Sequence, residues 1–226
     1  MQIQSGLSLM DYLNDPAKSQ EALDRAVQSQ KQNLAKDLLE VDNSLDNASD
    51  KQMDETLKKM EEGQTTVSLQ SLDNMISFHM KPVAEQLQDL AKRFDVNQSV
   101  EIKLQDGKWQ VEGADAEDAE PGLKRLQQYL DADQGLQKRM DQLNRLSEFY
   151  EWGNTREYAA QLKEAKVSQE DVVAFLKTSR THLMGLDSFT VSSAEVSINS
   201  RGEALKLFEA AQKSFGLKTA PSDQTR

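Results

Sequence analysis

The chain offers few side chains suited to chemistry. It has two histidines, His79 and His182, and no cysteine. Thiolate catalysis, disulfides and cysteine-based metal sites are therefore excluded. Both histidines fall in stretches of helical period, and His79 borders an apolar stripe beside Pro82. That placement suits a structural histidine with locally satisfied nitrogens. Paired with nearby carboxylates, His79 would also be the first candidate for acid–base work. The usual constellations are missing: there is no HExxH pair for zinc, no GxSxG nucleophile turn and no glycine-rich loop with a Walker lysine. Asp131-Ala132-Asp133-Gln134-Gly135 opens like a calcium loop. Its glycine comes one place too early and the twelfth position is Gln142 rather than glutamate, so no EF-hand is expected. The acidic run of Asp115, Glu117, Asp118 and Glu120 lacks calcium-loop spacing and reads as a solvated connection. No catalytic residue, cofactor or metal is expected, and the chain reads as a non-enzyme. One aromatic group, Phe149, Tyr150, Trp152 and Tyr158, fits either a helical core or an exposed contact patch, and the burial of Trp152 distinguishes the two.

The elements that would position these residues are mainly helical. Leu69, Leu72, Ile76, Val83, Leu87, Leu90 and Phe94 recur at helical spacing and keep phase across Pro82, which predicts one helix with a kink or short break between Phe78 and Pro82. Residues 99–112 follow as SVEIKLQ-DG-KWQVE. Asp106-Gly107 is a type I′ turn signal that pairs Leu104 with Trp109 and Ile102 with Val111. An isolated hairpin is marginal in water, so this one is expected to join residues 188–199, read as a second hairpin or alternatively a single bulged strand, in one small sheet, with Trp109 as its anchor. Before it, Asp15-Pro16 marks a helix start, and Leu23, Val27, Leu34, Leu38, Val41 and Leu45 form a narrow stripe extended by Met53, Leu57 and Met60. The Asn-, Ser- and Asp-rich residues 42–50 are a place for that helix to break.

The expected architecture is α+β, mainly α-helical. A flexible segment 1–14 leads into a coiled-coil-like αα-hairpin over residues 15–95. A body over 96–217 follows: hairpin 99–112, acidic linker 113–122, short helices over 123–184 with one ending at Gly153-Asn154, strands in 188–199, and a helix 203–215 with Leu205, Phe208, Ala211 and Phe215 inward. Residues 218–226 form a flexible polar tail.

A net charge of −11 and a pI near 4.8 repel nucleic-acid phosphates and anionic headgroups. Nucleic acid is not an expected partner. No apolar run approaches a membrane span, and MQIQSGLSLMDYL lacks the basic start and apolar core of a secretory signal. The expected location is cytoplasmic, or exported without a cleaved signal peptide. The cysteine-free composition, the low aromatic content, the abundance of Gln, Asn, Ser and Asp and the long N-terminal helices resemble flagellar-type axial proteins and phage structural proteins. The resemblance is one of composition, and it implies a part in a filament, appendage or phage-type assembly.

A narrow helical seam with no catalytic constellation points to protein–protein contact, with the chain itself or another helical protein as partner and a homo-oligomer as one outcome. The contact candidates are Leu34, Leu38, Val41, Leu45, Met53, Leu57 and Trp152. The alternative is a cytoplasmic adaptor, chaperone or inhibitor that binds one protein partner.

Overall fold

The computed structural model describes residues 16–45 and 49–217. Its elements run α1 (Pro16–Leu45), α2 (Asp50–Glu61), α3 (Leu69–Arg93), β1 (Val100–Gln105), β2 (Lys108–Val111), α4 (Pro121–Ala132), α5 (Gln134–Glu164), α6 (Gln169–Leu183), β3 (Ser188–Val191), β4 (Val196–Ile198) and α7 (Glu203–Ser214). This is the mainly helical α+β class that the periodicities predict. The segments expected to be flexible, 1–14 and 218–226, lie outside the described residues. Two compact units meet at the Ser68–Leu69 bond.

In the first unit, α1 starts on Pro16, whose fixed φ suits the first helical turn. It ends at Leu45, inside the stretch where a break is expected. The next helix starts after Ser49, whose backbone N–H donates to the Gln52 side chain at 2.7 Å. Helices α1 and α2 pack on each other. Asp37 ties α1 to the turn that follows α2, accepting from the Thr66 backbone N–H at 2.9 Å.

The second unit takes in α3, which the sequence groups with the N-terminal helices. The reason lies in its apolar face. Leu72, Ile76, Val83, Leu87, Leu90 and Ala91 are buried, and α3 finds its cover on α5, α4 and the strands β3 and β4. It runs unbroken through Pro82, so the alternative of a short break does not occur.

Strand order is β2-β1-β3-β4 with every neighbour antiparallel. The first hairpin has the expected register, with Leu104 opposite Trp109 and Ile102 opposite Val111. Asp106 and Gly107 both take positive φ, 51° and 74°. The two hairpins join through β1 and β3, where Ile102 faces Phe189. Trp109 is the anchor: it is buried, meets Phe189 edge-on at 5.2 Å and donates its indole N–H to Asp141 at 2.7 Å.

The outer edge of β2 is closed by one side chain. Val111 N–H donates to Gln127 Oε1 at 2.6 Å, and Gln127 Nε2 donates to the Trp109 carbonyl at 3.1 Å. The carboxamide on α4 thus supplies the donor and acceptor that a further strand would offer. Gln127→Ala is expected to lower stability by about 1–3 kcal/mol, because it strands both backbone groups. Gln127→Glu, which can accept but not donate, should fall between. Urea unfolding of the three proteins would check the order; an alanine variant as stable as the parent would mean that water replaces the amide without cost.

Two helices depart from expectation. Gly153-Asn154 does not end a helix: α5 continues from Gln134 to Glu164. A mid-helix glycine costs about 1 kcal/mol against alanine, and burial of Leu143, Leu146, Phe149, Trp152, Ala159 and Leu162 along α5 outweighs it. In α7, Phe208 and Ala204 turn inward while Leu205 is exposed. Phe208 sets the rotation by packing with Ala159, Leu162, Val172 and Phe175 and stacking on Tyr158 at 4.4 Å. Ala211 and Phe215 lie partly buried against the same cluster.

Candidate protein-contact surface and the buried polar stripe

The contact candidates on the first two helices divide along the length of α1. Val41 and Leu45 are buried, as is Leu57 on α2. Leu34, Leu38 and Met53 are half-buried. Toward the N-terminus of α1 the same stripe comes out into solvent: every described side chain from Asp24 to Asn33 is exposed, Val27 among them at 41 %. Val27, Leu34 and Val41 sit seven apart, so the exposed and covered stretches belong to one seam. At its covered end, hydrogen bonds from the Thr66 hydroxyl and then its backbone N–H hold the Asp37 carboxyl below the ordinary range.

Trp152 lies elsewhere. It is buried in α5 with the Arg180 guanidinium 4.7 Å over its ring, so it serves the interior of the second unit rather than an exposed patch. Phe149 is fully buried beside it in sequence, and Tyr150 lies under Arg201 at 4.3 Å.

The structure also holds polar groups that the apolar periodicities do not reveal. Asn144, Ser147, Glu151 and Thr155 recur at three and four along α5 and are all buried. Their spacing was the available signal; it draws no notice because polar residues at helical period usually mark a solvated face. Here α5 is central, and the stripe meets the backbone around β3, β4 and α7. Ser147 Oγ lies 2.7 Å from Ser200 Oγ. Glu151 accepts from the backbone N–H groups of Gly202 at 2.9 Å and Ala204 at 3.1 Å. It thereby caps α7, whose N-cap residue is Gly202 at φ 80° and has no side chain to do so. Arg201 Nη1 lies 3.6 Å from Glu151, and the same guanidinium pairs with Asp73 of α3. Burial raises the Glu151 pKa, opposed by the two backbone donors and by Arg201.

Two turns before Glu151, Asn144 Nδ2 donates to Asp187 Oδ1 at 2.7 Å and to Glu148 Oε1 at 3.2 Å. Burial, then the hydrogen bond and charge of Asp187, push the Glu148 carboxyl up to about 9. A carboxyl raised this far keeps its proton at neutral pH, with Asp187 beside it as the neighbouring acceptor.

Neither histidine joins this stripe. His79 meets Phe78 edge-on at 5.4 Å. His182 Nε2 lies 2.9 Å from Glu203, which also pairs with Lys206 at 2.6 Å. Among the described residues no cluster of three or more His, Asp or Glu side chains could hold a metal ion. The Asp131–Gly135 stretch instead breaks α4 from α5, and Asp133 caps α5 by accepting from Leu136 N–H at 2.9 Å. That backbone bond is the main reason the Asp133 carboxyl sits low. No described helix is long and apolar enough to cross a membrane.

The second unit is an α+β body, and in the first the seam of α1 is buried at Val41 and Leu45 and exposed at Val27. Comparison with protein-family models, curated proteins and solved structures finds no match.

Proposed function

We propose that this chain is a non-enzymatic structural or assembly protein that grips another helical polypeptide along the seam of α1. The observation that carries the proposal is the passage of that seam into solvent from Asp24 to Asn33, with Val27 exposed and the heptad spacing intact. Most helical stability in proteins comes from a packed apolar face rather than from propensity. A second helix laid along Val27, Leu34 and Leu38 supplies that face. The buried groups on α5 fit the same assignment, since Glu151, Ser147 and Asn144 spend their hydrogen bonds on neighbouring elements of the fold. A chain of this kind serves in a filament, an appendage or a phage-type assembly, or as an adaptor that holds one partner.

Substituting Val27→Glu together with Leu34→Glu tests the proposal. The parent should gain mass with concentration in light scattering, or retain a helical partner through purification. The double variant should lose that association while its near-ultraviolet circular dichroism, reporting Trp109 and Trp152 in the second unit, stays unchanged. Equal association by parent and variant would remove the seam from consideration.

A further inference from the structure

We draw no further inference here: the strongest candidate, the apolar seam of α1 exposed at Val27, carries nothing beyond the role proposed above, since nothing in the structure shows what covers it.

Discussion

Glu151→Ala is expected to cost about 3–5 kcal/mol of stability, the largest loss predicted for any single side chain here. The carboxylate is 2 % exposed and serves three groups at once. Removing it leaves the Gly202 and Ala204 N–H groups without their acceptor at the start of α7; Ala204 is buried, and a stranded buried donor costs about 1–3 kcal/mol. It also strips Arg201 of a counter-charge 3.6 Å away, leaving only Asp73 to pair with it. Water cannot easily replace the acceptor at Ala204, which is fully buried, although it can reach exposed Gly202. Glu151→Gln separates the roles. It preserves shape and one acceptor oxygen but offers an amide donor where the second N–H needs an acceptor, so it should lose roughly half as much. Guanidinium unfolding gives the three stabilities. If alanine costs less than about 1 kcal/mol, the value of an ordinary surface change, α7 is not held by this cap.

Much of the fold could be read from apolar spacing and turn chemistry. Asp106-Gly107 fixed the first hairpin because few residue pairs accept two positive φ values in succession. The need of each hairpin for neighbours led to the β1–β3 junction. The position of α3 was less legible. Its stripe says that one face must be covered but not by what, and the cover within its unit is α5, α4 and the sheet. Gly153 misled for a related reason: local propensity argues for a helix end, while the burial of Trp152 and Ala159 on either side is a property of the assembled body. The seam of α1 was visible as a pattern, but its division into a covered part and an exposed part was not, because exposure depends on where α2 folds back. Least legible was the polar stripe of α5. Asn144, Ser147 and Glu151 look like a solvated face until their partners, the Asp187 carboxyl, the Ser200 hydroxyl and the Gly202 backbone N–H, are brought to them from distant loops. A sequence without any fixed loop geometry cannot show that Gly202, 51 residues beyond Glu151, presents an uncapped N–H there.

Glu148→Gln is expected to make the protein more stable at pH 8 and to flatten its stability between pH 5 and 8. The folded state raises this carboxyl from an ordinary 4.5 to about 9, by burial first and by Asp187 second. A raised pKa means that the folded chain holds a proton that the unfolded chain has released. The associated stability is complete below about pH 4.5, declines as pH rises through the window between the two values, and is gone above about pH 9. Within the window one such group contributes a slope of about 1.4 kcal/mol per pH unit, so roughly 3 kcal/mol is lost between pH 5 and neutrality. Glutamine does not titrate. Its Nε2 can donate to Asp187 as the protonated carboxyl does, and its Oε1 can accept from Asn144 Nδ2 in the existing geometry. Parent and variant should therefore match near pH 4.5 and diverge steadily above it, with glutamine the more stable. Asp187→Asn approaches the same pair from the other side. Without the neighbouring charge the Glu148 carboxyl falls toward its ordinary range and the slope shrinks, although burial keeps part of it. Thermal unfolding of all three across the pH range is the measurement. Parallel curves for parent and Glu148→Gln would show that the folded chain does not hold an extra proton on Glu148.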